Sequence, residues 1–194
     1  MALNSASAYA SDASLRYRQG DILRDVRIVE WAEVVNDQFL LSERYLPYCV
    51  VLSQECDLEH DFNNRADPVK CERDTDKFIQ SILVCPAYPA AQLREGTHLI
   101  DASLKMQRIN TADWRRVTQN SNYRYHFLPE HLDVQLPALA IDFKQYFTIP
   151  RDVAYRSEIR AKVLTSLDDL FREHFSGRFA HYLSRVGLPE LESV

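Results

Sequence analysis

Apolar and polar positions along the chain fall into two periods, and the switch between them divides it into elements. Residues 17–31 (YRQGDILRDVRIVEW) place Gly20 as a turn ahead of Ile22, Val26, Ile28 and Val29, a β-branched set that predicts a strand. A polar turn at Asn36-Asp37 leads into a second short strand at Phe39-Leu40-Leu41. Residues 48–54 (YCVVLSQ) are almost continuously apolar, as in a strand covered on both faces, and residues 78–88 (FIQSILVCPAY) repeat the pattern. Between these twins, residues 56–77 are dense in charge and nearly free of core side chains, which predicts a long polar connection of the kind that often carries function. From 90 to 118, Leu99, Leu104, Met106, Ile109 and Trp114 predict two short helices, the second capped by Thr111. Residues 123–128 (YRYHFL) and 139–149 (LAIDFKQYFTI) alternate with a period of two and read as strands, and residues 155–164 add another.

The last element has the strongest pattern. Ser166 is placed to cap a helix with Asp168 and Asp169 in its first turn, where acids suit the helix dipole. Leu167, Leu170, Phe171, Phe175, Phe179, Tyr182, Leu183 and Val186 recur every three or four residues until Gly187 and Pro189 stop the pattern. Gly177, mid-helix, predicts a close approach or a break. The whole predicts one α+β domain over residues 16–194, behind a disordered leader at 1–15. Its centre is expected to be a small β-barrel-like sheet with inserted helices and a long C-terminal amphipathic helix.

Composition narrows the function. Only four of 194 residues are Gly, and neither GxGxxG nor GxxxxGK[ST] occurs, which argues against the common phosphate-cradling loops. The net charge of -5 supplies no bulk attraction to nucleic acid or an anionic membrane, so an RNA partner requires a local basic face. No apolar run approaches the ~20 residues needed to span a bilayer. The first residues lack the basic and apolar blocks of a signal peptide, so a cytoplasmic setting is expected. There, Cys49, Cys56, Cys71 and Cys85 are expected as free thiols or metal ligands rather than disulfides.

Gly20-Asp21-Ile22, Val50-Val51-Leu52-Ser53, Ile82 to Pro86 (ILVCP) and the 139–149 segment with Asp142 and Lys144 come in an order that resembles the PemK/MazF family. The resemblance covers about 90 residues in short pieces. It implies a small SH3-like barrel, usually a homodimer, that acts in a bacterial toxin–antitoxin or anti-phage system as a metal-independent endoribonuclease. The family's chemistry uses an Arg before the VVLS-type strand, where this chain has Arg44. It also uses a Ser or Thr after the next strand, where this chain has Ala87-Tyr88-Pro89.

Three groups of residues are candidates for chemistry. For RNA cleavage, Arg44 supplies a cation for the phosphorane and His126 a proton-transfer group tunable near neutral pH. Arg115, Arg116, Tyr123, Arg124 and Tyr125 interleave cations with rings that stack bases. The alternative for these rings is a packing face, with Arg124 and His126 toward water. The second group is the loop Ser53, Gln54, Cys56, Asp57 and His60 beyond a buried strand, where Cys56 is a candidate nucleophile against acidic neighbours that oppose thiolate formation. The third is a zinc set of Cys56, His60 and Cys71, completed by Cys85 or His126. Against the zinc set stands a solvated acidic loop with Cys49 and Cys85 as core thiols. The remaining functional class is a catalytically silent binding module that holds a protein partner through residues 56–77 and the C-terminal helix.

Overall fold

The computed structural model describes residues 8–10 and 14–185. Eight strands form one antiparallel sheet that curls into a half-barrel. They are β1 (Tyr9–Ala10), β2 (Asp21–Val35), β3 (Gln38–Val51), β4 (Ser81–Pro89), β5 (Tyr125–Leu128), β6 (Leu139–Asp142), β7 (Phe147–Pro150) and β8 (Val163–Leu167). Their order across the sheet is β1-β8-β2-β3-β4-β6-β5, and β7 pairs with the first half of β4 while β6 pairs with its end. Mixed α+β architecture is thus shown, with helices α1 (Glu55–Asn64), α2 (Pro68–Arg73), α3 (Ala90–Glu95), α4 (Thr111–Thr118), α5 (Arg151–Ala154), α6 (Ser157–Arg160) and α7 (Asp169–Leu183).

Two corrections concern strands. The expected short strands at 39–41 and 48–54 are one strand, β3, which pairs with β2 from Val35↔Gln38 to Ile22↔Val50. Asn36 and Asp37 both take left-handed backbone, φ 49° and 60°, so they make the two-residue turn whose twist suits a hairpin. Along this ladder Asp25, opposite Pro47, has φ 54°. That residue re-aims the strand: Leu23 and Val26, three apart, enter the same core, as do Cys49 and Leu46 across from them. Tyr9 and Ala10 also depart from the expected leader, because they pair with Leu167 and Ser166 of β8. The Tyr9 hydroxyl donates to the Pro129 carbonyl and its ring stacks on His131 at 4.6 Å, which ties the β1 edge to the connection after β5. Residues 1–7 and 11–13 lie outside the described residues.

The helices account for the remaining differences. The polar stretch at 56–77 is α1, α2 and a 3-10 turn at Thr75–Lys77 rather than a loop. Its few anchors are Leu58, fully buried, and Asp61, a fully buried carboxylate held by Arg65 Nε and Arg151 Nε, each at 2.8 Å. Charge there serves an internal ion pair, which hydropathy alone does not reveal. Asn110 rather than Thr111 caps α4, its side chain accepting from the Asp113 N–H at 2.9 Å. Residues 139–149 turn at 143–146 between β6 and β7, and 155–160 are mostly helical.

The helix α7 starts two residues later than expected, capped by Asp168, because Ser166 and Leu167 complete β8. Phe175 and Phe179 are buried in the curl with Ile22, Val50, Phe143 and Leu128, while Leu170 and Leu183 face solvent. Val186 lies outside the described residues. Gly177 marks neither a close approach nor a break: the helix runs through it, and a Cβ there would meet nothing within 4 Å. Gly20 does serve as a turn, with φ 87°, and a Cβ would come within 2.9 Å of Leu167 Cβ. On the other face of the sheet, Tyr17, Leu46, Leu58, Ile82 and Ala154 form a second core under α1 and α5. A third, smaller core joins Tyr88 and Ala140 to Leu93 and Val117 of α3 and α4.

Candidate RNA-facing site

The strand β5 and the end of α7 meet at one corner, and most of the expected RNA-binding residues lie there. Tyr123, 54% exposed, precedes β5. Its ring is 5.6 Å from that of His181, and the Arg185 guanidinium lies 5.3 Å from its centroid. The chain before it is fixed by backbone N–H groups of Ser121 and Asn122 donating to the Arg116 carbonyl, which brings exposed Arg115 and Arg116 of α4 beside the turn. Arg178 of α7 donates to the carbonyls of Asn122 and Tyr125. A chain that is acidic overall therefore has a corner rich in arginine. His181, Arg178 and Arg185 had no motif to announce them; only the packing of α7 against β5 brings them here.

Arg124 and Tyr125 are less available than expected. Arg124 donates from Nε (2.7 Å) and Nη2 (2.6 Å) to the two carboxylate oxygens of Asp142, which is fully buried. This bidentate pair is how the sheet tolerates a carboxylate on β6. The Arg124 guanidinium also covers the Tyr125 ring at 4.8 Å, and Tyr125 packs toward Trp114 and Phe127. Burial raises the Tyr125 hydroxyl to about 12.

Arg44 and His126 do not share a site. Arg44 is on β3, where it pairs with Glu30 and donates from Nη1 to Gln145 Oε1 at 3.5 Å. Gln145 Oε1 also accepts from the buried Tyr88 hydroxyl at 3.3 Å, and the Tyr88 ring meets that of His98 at 4.8 Å. Burial lowers the His98 imidazole below its usual range. The groups linked to Arg44 are thus a carboxylate, an amide, a phenol and an imidazole. None was singled out from sequence, because their positions are far apart along the chain.

His126 faces the opposite way from its expected aqueous setting. It is 1% exposed, enclosed by Phe143, Phe175 and His174, with rings 5.3–6.0 Å apart. Its Nδ1 is buried without a hydrogen-bond partner. Burial, reinforced by Arg178 and His174, lowers it to about 3. A ring held neutral in an aromatic core is a packing group rather than a proton shuttle at neutral pH.

The Ser53-to-His60 signal is a structural joint. Ser53 Oγ accepts from the Leu83 N–H at 2.8 Å, and Gln54 precedes α1 without capping it by its side chain. Glu55 accepts from Arg16 Nη2 (2.6 Å) and the Gln19 N–H (2.8 Å), and Arg172 of α7 approaches it at 3.7 Å. Cys56 and Asp57 are exposed, and the Cys56 thiol lies 3.8 Å from both Gln54 Oε1 and Asp57 Oδ1. His60 lies one turn on, beside Asn64 and Phe78. Cys71 donates to the Arg65 carbonyl at 3.0 Å, and Cys85 sits in the barrel core, its thiol donating to the Asp142 carbonyl. Among the described residues no group of three or more His, Cys, Asp and Glu side chains is arranged to hold a metal ion. Cys49 and Cys85 are core thiols, with burial raising Cys49 to about 12. Among the described residues no helix is long and apolar enough to cross a membrane. Comparison with known proteins finds no matching family, no similar curated protein and no similar solved structure.

Proposed function

We propose that this chain is a PemK/MazF-like barrel protein of a bacterial toxin–antitoxin or anti-phage system that engages single-stranded RNA at the α4–β5–α7 corner. The observation that carries the reading is Tyr123, a solvent-facing ring set between His181 and Arg185. A base stacks on such a ring whatever its sequence, and the guanidinium groups beside it hold the phosphates. A second set with a cation and an imidazole for 2′-hydroxyl chemistry is the Arg44, Gln145, Tyr88 and His98 group.

Binding is tested by fluorescence anisotropy of a labelled ten-nucleotide RNA. Tyr123→Ala is expected to weaken it by about 5–100-fold, the range for one lost base stack. Arg185→Ala is expected to flatten the salt dependence. Unchanged affinity in Tyr123→Ala would overturn this assignment of the surface. Cleavage is tested on a long structured RNA with and without EDTA. Discrete EDTA-insensitive fragments that vanish in Arg44→Ala support an endoribonuclease. Intact RNA removes the catalytic half of the reading and leaves the binding half to the anisotropy result.

A further inference from the structure

The β2–β3 hairpin continues from the sheet body as an arm, and residues opposite each other on its ladder share a face. One face carries the rows Val26/Leu46, Ile28/Arg44, Trp31/Ser42 and Glu33/Leu40, and the register shift at Glu30 is what brings Trp31 onto it. At the root of this face Val26 and Leu46 enter the core under α1 and α5, and Ile28 packs on its rim. In the next row Arg44 reaches Gln145 and, through it, Tyr88 and His98. One row further out the cover ends: Trp31 is 51% exposed, and among the described residues its ring meets no other ring and no cation. A tryptophan face left to water beside a group with a cation and an imidazole is a stacking platform for a planar ligand.

The acids of the arm select which ligand. Glu30 pairs with Arg44, Glu43 meets Arg27 at 3.6 Å, and Asp37 forms the turn. Glu33 is different: it is exposed and, among the described residues, makes no hydrogen bond or ion pair. It follows Trp31 on the same face, about 7 Å along the strand, so its carboxylate borders whatever lies on the indole. A carboxylate accepts two hydrogen bonds side by side, and the Watson–Crick edge of guanine is the one that offers them, from N1–H and the 2-amino group. Adenine and cytosine set a ring-nitrogen acceptor beside their amino group, and uracil flanks its one N–H with two carbonyls, so each of the three turns an acceptor toward the carboxylate. We propose that this face binds an unpaired guanine of single-stranded RNA, its ring on Trp31 and its Watson–Crick edge on Glu33. The inference deepens the RNA reading and rests on it for the strand, while the base contact is separate from the Tyr123 corner. It also sets a guanine one row from Arg44.

Fluorescence anisotropy with labelled oligouridine strands that carry one central guanine, inosine or adenine tests it. The guanine strand should bind about 5–100-fold more tightly than the adenine strand, the range for one bidentate base contact, and inosine, which lacks the 2-amino donor, should fall between them. Glu33→Gln should abolish that preference, and Trp31→Ala should weaken the guanine strand by about 5–100-fold. Both positions are exposed, and circular dichroism should show both variants folded. In a second measurement, guanosine monophosphate should quench tryptophan emission of the wild type but not of Trp31→Phe, in which half-buried Trp114 is the remaining indole. Equal affinity for the guanine and adenine strands overturns the proposal. So do a guanine preference that survives Glu33→Gln, and quenching by tetramethylammonium but not by the monophosphate, which would assign the face to a cationic ligand. Tyr123→Ala should weaken all strands alike and leave the guanine preference intact. Strands that do not bind, with quenching by the monophosphate retained, would sink the RNA reading and keep the guanine contact for a free nucleotide, so the two failures are told apart.

Discussion

The β2–β3 hairpin contains two regions built from the same kinds of residue with opposite fates. At its root, Ile22, Leu23, Val26, Cys49, Val50 and Val51 are no more than 1% exposed, between the core under α1 and the core around α7. In the arm, Val29, Trp31, Val34, Phe39 and Leu41 are all more than half exposed. Strand propensity is the same in both; what differs is whether helices and neighbouring strands cover the ladder. An apolar strand pattern therefore records that something covers the strand, and the covering element need not belong to the same chain.

Four substitutions or conditions sharpen this contrast. The largest effect is expected at the root: Ile22→Ala should cost about 2–5 kcal/mol in chemical denaturation, through lost transfer energy and the cavity left behind. A cost near zero would mean that the root is as loosely covered as the arm. The core around α7 should also register pH. Folded His126 stays neutral down to about pH 3, whereas an unfolded histidine protonates near 6.5. The unfolded state thus takes up a proton first, and stability falls as pH drops through that window, by about 2 kcal/mol from pH 6.5 to 5. His126→Leu should flatten this acid limb, and an unaltered limb would place the titration elsewhere. Gly177→Ala, at a helical position open to solvent, should stabilise by about 0.5–1 kcal/mol; a loss would reveal a contact on that face of α7. Smallest of all, Phe39→Ser should shift stability by about 0.5 kcal/mol or less, unlike any change at the root.

The same distinction decides what could be read from the sequence. The hairpin turn at Asn36-Asp37, the buried runs at 48–52 and 82–88 and the C-terminal helix were legible because local spacing alone specifies them. The helices at 55–73 were not, since their apolar anchor is one leucine and their other anchor a buried Asp61 whose two arginines come from positions 65 and 151. At the candidate site, Tyr123 was visible as an aromatic beside arginines, but its real neighbours His181 and Arg185 come from the far end of the chain. His126 misled for the converse reason: alternation in YRYHFL marks two faces without saying which is wet, and here α7 covers the histidine side.

The strand β1 has a consequence for how the chain is made. Tyr9 and Ala10 pair with Leu167 and Ser166, and β2 takes β8 as a neighbour across a similar span. At ribosomal rates of about 5–20 residues per second, roughly 10–30 s separate the emergence of these partners. Until then the inner edge of β2 and the Phe175 pocket stand open. Final closure of the curl is therefore a late step dominated by contacts distant in sequence, the kind that folds slowly and that a holdase chaperone has time to attend.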